Sequence, residues 1–250
     1  RGPAQNGTST EKSLPAKWEP GGEADLWQYP LSGRGTPVTA SDRVYAWGYG
    51  GKGPDLQEIL VCLDLDNGNL IWERRFNDFI SDIIYNRYSI GSPAIDSETG
   101  NVYMMSSAGI IGCFTADGKM IWQRSMMEEF GRLTFPNGQT GSPVVDGDLV
   151  IVRGITTNWG REGPARDRFY AFDKRVGDLV WSSTPGVGPP FLKDSCFSTP
   201  VLASRHGRRV FYAGTGCGNV VCVDARTGDP IWRFQLTRGG INSSVVLYQD

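Results

Sequence analysis

The stretch VFYAGTGCGNVVCVDARTGDPIWRF at 210–234 decides the fold. It contains two short runs of strand-forming residues separated by a glycine-rich reversal. A tight turn at 225–229 then leads to a third strand centred on Trp232. Together with the short apolar run at 198–202, the stretch predicts a four-stranded antiparallel meander.

The same pattern occurs three more times in the chain. The turn and the tryptophan that follows it read CLDLDNGNLIW, CFTADGKMIW, AFDKRVGDLVW and CVDARTGDPIW, ending at 72, 122, 181 and 232. A second signature, a hydroxyl residue followed by proline, marks the innermost strand at 36, 92, 142 and 199, with a degraded copy at 243–247. One four-stranded sheet per repeat of about 40–50 residues is the pattern of a β-propeller blade. The sequence therefore predicts an all-β fold, a propeller of four-stranded antiparallel blades.

The repeats place four complete blades at 33–76, 89–125, 140–184 and 197–237, and residues 240–250 begin a fifth. Since rings of this kind have more blades, we expect part of a seven- or eight-bladed ring, or two copies that close a ring together.

Residues 1–30 are expected to form a polar tail and a strand at 25–29, ahead of a propeller that occupies 31–250. That strand, with Leu26 and Trp27, is a candidate to close the ring by completing the last blade, which would remove open sheet edges. An isolated surface strand is the alternative.

Composition and net charge limit the classes of function that the protein can have. The chain has 250 residues with 33 Gly and 15 Pro, which suits many short strands joined by turns. Its net charge of −2 argues against a nucleic-acid partner. The apolar runs are too short for a membrane span. A lipid anchor upstream of Arg1 and a removed signal peptide both remain open.

Three of the five cysteines share one position of the repeat. Cys62, Cys113 and Cys222 stand where the third repeat has Ala171, which predicts a small, buried position. Cys196 and Cys217 fall in loops, and whether they form a disulfide remains open.

The aspartates of the turns resemble catalytic acids, but the pattern favours a structural role. In Asp-x-x-Thr-Gly at 224–228, a carboxylate and a hydroxyl can accept hydrogen bonds from the turn, and glycine supplies the positive φ. The second repeat departs from this pattern, because Thr115 replaces the aspartate.

Loop lengths indicate where function lies. In a meander blade, the loop between the second and third strands and the blade-to-blade connector share one face, which we call the loop face. This face carries every insertion, at 48–58, 76–88, 125–139, 154–168 and 185–196. Because loops on a rigid scaffold carry binding more often than the scaffold does, the loop face is the predicted functional face.

Aromatic, methionine and polar side chains of these insertions form the predicted partner-binding surface. Its candidates are Phe79, Ile83, Tyr85, Met126, Met127, Phe130, Phe135, Asn158, Trp159, Arg161 and Phe191. Two alternatives remain open. The connectors could fold down as short helices that cover their own blades, and 154–168 could be a solvated loop.

Several catalytic classes lack support. His206 is the only histidine, so a histidine zinc site, a Ser-His-Asp triad and a Cys-His pair are unsupported. The GTGCGN at 214–219 imitates a dinucleotide-binding fingerprint but opens no helix. No catalytic or metal-binding residue is predicted.

The repeat at 212–232 resembles that of the PQQ-like propellers, the pyrroloquinoline-quinone type, and the resemblance runs from residue 25 onward. The opening RGPAQNGTST is also similar to the N-terminal sequences of bacterial proteins with such repeats. This superfamily includes eight-bladed quinone- and calcium-dependent alcohol dehydrogenases and a periplasmic scaffold of the outer-membrane assembly machinery that has no cofactor. WD-repeat and kelch propellers share the blade architecture and fit less well.

The resemblance to the dehydrogenases implies adjacent cysteines over the quinone, a tryptophan beneath it, and Glu, Asn and Asp ligands for calcium. This chain has no adjacent cysteines and no positions that match those ligands. The resulting hypothesis is a non-enzymatic, periplasmic or otherwise extracytoplasmic scaffold that binds a protein partner and needs no cofactor. The alternatives are a PQQ- and calcium-dependent alcohol or sugar dehydrogenase and a propeller that binds carbohydrate or another small ligand.

Overall fold

The computed structural model describes residues 11–77, 91–133, 141–157, 166–188 and 198–248. The predicted fold class is confirmed, because four antiparallel sheets follow one another along the chain, each with four strands hydrogen-bonded in chain order. We call these sheets the first to fourth blades. A short additional strand pairs with the third blade.

The strands lie where the repeat predicts them. The first blade consists of β1 (Val38–Ala40), β2 (Arg43–Gly50), β3 (Gln57–Asp64) and β4 (Leu70–Asn77). The second consists of β5 (Ala94–Ile95), β6 (Val102–Met105), β7 (Ile110–Phe114) and β8 (Met120–Ser125). Helix α1 (Met126–Phe130) and the short β9 (Arg132–Leu133) follow. The third blade consists of β10 (Val144–Asp146), β11 (Leu149–Thr157), β12 (Arg166–Asp173) and β13 (Leu179–Ser183). The fourth consists of β14 (Val201–Arg205), β15 (Arg208–Gly214), β16 (Asn219–Asp224) and β17 (Pro230–Gln235).

The repeat signature forms one row of side chains across each blade. In the first blade, Tyr45 of β2 pairs with Cys62 of β3, which pairs with Trp72 of β4. The second and fourth blades repeat this row, while the third carries Ile151, Ala171 and Trp181 in the same register. The three repeated cysteines are buried, which confirms the small core position. A tyrosine pairs with the cysteine in the first, second and fourth blades, whereas an isoleucine pairs with the alanine in the third.

In the first three blades, the tryptophan packs on the turn of the next blade. Trp72, Trp122 and Trp181 are each 8% exposed. They lie against glycines with φ between +76° and +77°, at positions where an added Cβ would come within 2.6 Å of the indole ring. The three glycines are Gly118, Gly177 and Gly228. Only glycine satisfies both the turn conformation and this close approach. The hydrophobic core is therefore a series of layers between blades.

The N-terminal segment supplies the same contact for the first blade. Trp27 stacks on Gly68, and its indole Nε1 donates a hydrogen bond of 2.9 Å to the carbonyl of Leu65. Trp72 donates to Ala116 and Trp122 to Lys174 in the same way. Residues 25–29 form no strand, and Leu26 is exposed. The ring-closing role of this segment stays a prediction.

The fourth blade ends in an exposed strand. Trp232 is 45% exposed and Phe234 is 62% exposed, because no glycine turn of the described chain lies against them. Residues 241–248 follow the inner edge of this blade without forming a strand.

Candidate functional site

Three of the predicted partner-binding residues lie in or beside helix α1, and two of them belong to the core. Met126 is fully buried. The ring of Phe130 lies 4.8 Å from that of Tyr170 in the third blade. Ser125 caps the helix by accepting a hydrogen bond from the backbone N–H of Glu128. The described part of this connector, 125–133, thus folds down as a short helix that covers neighbouring blades, and Met126 and Phe130 do not form an exposed patch. Met127 is partly exposed.

The other predicted partner-binding residues lie outside the described residues. They are Phe79, Ile83, Tyr85, Phe135, Asn158, Trp159, Arg161 and Phe191.

A relay of hydroxyl groups links the inner strands of successive blades. The backbone N–H of Thr36 donates to the hydroxyl of Ser92, and the N–H of Ser92 donates to the hydroxyl of Ser142, both at 2.9 Å. The relay continues from Ser142 to Thr199 at 3.2 Å and from Thr199 to Ser244 at 3.3 Å. Ser and Thr suit these positions because one hydroxyl oxygen can accept a bond across the gap between blades. Ser244 thus occupies the position that a fifth blade would use.

A buried glutamate joins the first blade to the second at the loop face. Glu58, at the start of β3, is 1% exposed. Its Oε2 accepts a hydrogen bond of 2.7 Å from the backbone N–H of Ser107, and its Oε1 accepts one of 2.9 Å from the Ser107 hydroxyl. Both carboxylate oxygens therefore have partners in the turn between β6 and β7.

A buried ion pair joins the third blade to the fourth in the same manner. Asp167, at the start of β12, accepts hydrogen bonds from Arg153 at 2.9 Å and 2.5 Å and from the backbone N–H of Gly216 at 2.6 Å. The Arg153 side chain is 1% exposed and also donates to the carbonyl of Ser198. Its guanidinium lies over the ring of Phe169. Because both side chains have hydrogen-bond partners, this pair is a structural link between the third and fourth blades.

Sequence reasoning missed these acids, although a signal for them exists. Glu58 and Asp167 each stand four residues before the small core position of their repeat, and the second and fourth repeats have Gly109 and Gly218 there. The repeat therefore alternates between a blade with a carboxylate and a blade with a glycine turn. Comparison of all four repeats at this one position would have revealed this alternation.

A third buried link, between the second and third blades, lies on the face opposite the loop face. Lys174 is 3% exposed, and its Nζ lies 2.9 Å from Asp96 and 2.6 Å from Glu98. Burial by itself would lower the pKa of Lys174, but the bonds to Glu98 and Asp96 outweigh it and raise that pKa. Burial would raise the pKa of Asp96, but hydrogen bonds from Lys174 and Thr99 outweigh it and lower that pKa.

The turn aspartates have the structural role that their pattern predicts. Asp224 accepts hydrogen bonds from the backbone N–H groups of Arg226 and Thr227, at 2.8 Å and 3.2 Å. Asp64 and Asp173 accept equivalent bonds in their turns. In the second blade, the hydroxyl of Thr115 accepts from the N–H of Lys119 instead.

The buried thiols are unsuited to nucleophilic chemistry. Burial raises the pKa of Cys113 to about 11, and it also raises the pKa values of Cys62 and Cys222. A thiol reacts as its thiolate, so these groups stay unreactive at neutral pH. Cys217 is a free thiol and partly exposed.

The described residues do not fit a calcium site. Over the ranges given above, no group of three or more His, Cys, Asp or Glu side chains is placed to hold a metal ion. The two buried acids of the loop face, Glu58 and Asp167, have their oxygens occupied by serine, arginine and backbone donors.

Within the described parts of the chain, no helix combines the length and apolarity that crossing a membrane requires.

Comparison with known proteins gives one family match over most of the chain. A family model described as outer membrane protein assembly factor BamB matches residues 18–162 and 165–250. Two curated relatives are each described as alcohol dehydrogenase (quinone), dehydrogenase subunit. The protein from Gluconobacter oxydans (strain 621H) is 28% identical over 95 residues, and that from Gluconacetobacter polyoxogenes is 32% identical over 96. These matches cover 38% of this chain but only 11% and 12% of the relatives.

Solved structures of both kinds share the fold. BamB from Moraxella catarrhalis is 20% identical with a TM-score of 0.56, covering 89% of this chain and 58% of its own. The quinohemoprotein alcohol dehydrogenase from Comamonas testosteroni is 18% identical with a TM-score of 0.60, covering 87% of this chain and 38% of its own. A europium-containing methanol dehydrogenase is 17% identical with a TM-score of 0.58, covering 84% and 42%. At these identities the likeness concerns the fold alone.

Proposed function

Because the chain belongs to the family of outer membrane protein assembly factor BamB, we propose that it is an extracytoplasmic scaffold that binds a protein partner through its loop face. The partner would be a component of outer-membrane protein assembly, as the name of the family indicates. The observation that carries this proposal is the extent of the match, from residue 18 to residue 250 with a gap of two residues. The matched stretch of the quinone dehydrogenases is 95 or 96 residues long.

The chemistry of the loop face supports a scaffold. Its buried carboxylates, Glu58 and Asp167, hold the next blade in place, and each of their oxygens already accepts a hydrogen bond from a protein donor. A rigid arrangement of blades with loops on one face is also a suitable surface for a protein partner.

Site-specific photo-crosslinking tests the proposal in the cell. A photoreactive residue replaces Lys52, which lies exposed in the loop between β2 and β3, and in a matched variant it replaces Asn67, exposed in the turn between β3 and β4 on the opposite face. We expect one crosslinked protein of the outer-membrane assembly machinery from position 52 and none from position 67. Equal crosslinking from both positions, or none from position 52 and from further loop-face positions, would overturn the proposal.

A quinone-dependent alcohol dehydrogenase is the second candidate, favoured by the 32% identity to the dehydrogenase subunit from Gluconacetobacter polyoxogenes. The protein is titrated with pyrroloquinoline quinone and calcium while tryptophan fluorescence is followed, and dye-linked oxidation of ethanol is assayed. We expect no calcium-dependent quenching at micromolar quinone. Tight quenching together with ethanol oxidation would replace the scaffold proposal with this one.

A further inference from the structure

An open cavity of about 650 Å³ lies beside the turn between β15 and β16, on the loop face. One wall is formed by Gly186, Val187 and Gly188, which follow the third blade. The turn residues Cys217 and Asn219 form the back, and Arg233 and Arg238 reach the cavity from the outermost strand and the segment after it. We call this cavity the arginine niche.

The back wall of the niche is closely packed. The Cys217 thiol donates to the carbonyl of Gly186 at 3.3 Å, and the Asn219 amide donates to the same carbonyl at 3.2 Å. A Cβ at Gly186 would lie 2.6 Å from the sulfur of Cys217, so glycine is required for this approach. These contacts fix the wall against which a ligand would rest.

Two arginines give the niche a positive charge. Among the residues that the structure describes, no aspartate or glutamate lines it, and neither Arg233 nor Arg238 forms an ion pair. By contrast, Arg209 and Arg226 of the same blade both bind Asp146. A guanidinium group binds a carboxylate through paired, charge-assisted hydrogen bonds, and two such groups line this cavity.

We propose that the arginine niche binds an oxyanion, namely a carboxylate, carried either by a small organic acid or by an acidic segment of a protein. The two sources share the chemistry that the arginines recognise. The inference stands whether the chain is a scaffold or an enzyme, because it rests on the charge and geometry of the niche.

Alkylation of Cys217 tests the proposal, since its thiol lies at the back of the niche. Rates with iodoacetate, an anion, and iodoacetamide, its neutral analogue, are compared, with the modified cysteine assigned by fragment mass spectra. In both reactions the sulfur displaces iodide, forming a carbon–sulfur bond, and the thiol proton goes to solvent. Relative to the same cysteine in the urea-unfolded chain, we expect the ratio of iodoacetate to iodoacetamide rates to rise about fivefold.

Charge variants identify the cause of that ratio. The double variant Arg233→Gln/Arg238→Gln should return it to the unfolded value, and Arg233→Lys/Arg238→Lys should keep most of the increase. The control Lys17→Gln/Arg34→Gln removes the same charge from exposed positions outside the niche and should leave the ratio high. A ratio equal to the unfolded value, or one that is unchanged in Arg233→Gln/Arg238→Gln, would overturn the proposal.

Competition at constant ionic strength separates the two sources. Protection of Cys217 by citrate as well as by hexaglutamate points to a small acid, and protection by hexaglutamate alone points to an acidic protein segment. Chloride at equal ionic strength should not protect. If neither competitor slows alkylation beyond chloride, the niche does not bind carboxylates and the proposal fails.

Discussion

The first and third blades differ from the second and fourth in the length of their central hairpin. β2 and β3 have eight residues each, and β11 and β12 have nine and eight. In the second blade β6 and β7 have only four and five. Each long hairpin ends in a buried carboxylate that reaches over the short turn of the next blade. The structural repeat is therefore a pair of blades. The long hairpin of the first blade of each pair binds the short turn of the second.

The links themselves differ in charge. The first blade holds the second through Glu58 and the neutral Ser107, whereas the third holds the fourth through Asp167 with Arg153 bound to it. The junction between the second and third blades has Gly109 in place of the acid, and Lys174 on the opposite face supplies its buried ion pair. All three junctions between blades thus share the packing of tryptophan on glycine, but each has a different polar link.

The largest effect is expected at the junction of the third and fourth blades. Asp167→Asn should lower the free energy of unfolding by about 3–5 kcal/mol, because it removes a negative charge that contacts the buried Arg153 guanidinium. Urea unfolding followed by tryptophan fluorescence measures this. The control Asp117→Asn changes an aspartate whose side chain is 84% exposed and should cost under about 0.5 kcal/mol. Similar losses in the two variants would contradict a structural role for the buried pair.

The junction of the second and third blades should show a smaller loss that depends on pH. Asp96→Asn should cost about 2 kcal/mol at pH 7, less than a fully broken pair because Lys174 keeps Glu98. The folded pKa of Asp96 is below its usual value of 3.8. Its contribution is therefore complete above pH 4 and is lost as the pH falls through the folded pKa.

Unfolding of the protein and of the Asp96→Asn variant at several pH values between 2 and 7 tests this dependence. The two curves should converge at the acid end. A difference that stays constant down to pH 2 would show that Asp96 does not act through its charge.

The junction of the first and second blades should be less sensitive than that of the third and fourth. Ser107→Ala removes the hydrogen bond from the Ser107 hydroxyl to Glu58 and leaves that from the backbone N–H in place, so we expect a loss of about 1–2 kcal/mol. Ser107→Thr keeps the hydroxyl and is the matched variant. A loss as large as that of Asp167→Asn would mean that charge does not distinguish the two links.

The smallest effect is expected in the hydroxyl relay, which is the same at every junction. Ser92→Ala and Ser142→Ala should each cost about 0.5–1 kcal/mol, since each leaves one backbone N–H without its acceptor. Ser142→Thr should restore stability, because Thr199 occupies the corresponding position of the next blade. Thermal unfolding of the three variants measures the difference. Unequal losses at the two serines would indicate that the relay is not equivalent from blade to blade.

Much of the fold could be predicted because the repeat is local. Strand, turn and tryptophan recur together, and the positions of Cys62, Cys113 and Cys222 followed from comparing copies of one pattern. The candidate site was less predictable. Met126 and Phe130 carry the residue types of an exposed patch, but their burial depends on the third blade, about 20 to 40 residues further on, where Tyr170 receives the ring of Phe130.

Sequence analysis alone predicts the four-stranded blade, its turn chemistry and its buried cysteine row, because each depends on residues within one repeat. How each blade contacts the next depends on the folded structure. Glu58 and Asp167 look alike in the sequence as isolated acids, and their roles come from the donors that the following blade places against them. The arginine niche likewise exists only where Gly186 of one blade's connector meets Cys217 of the next. Contacts between repeats depend on distance in space, which spacing along the chain does not record.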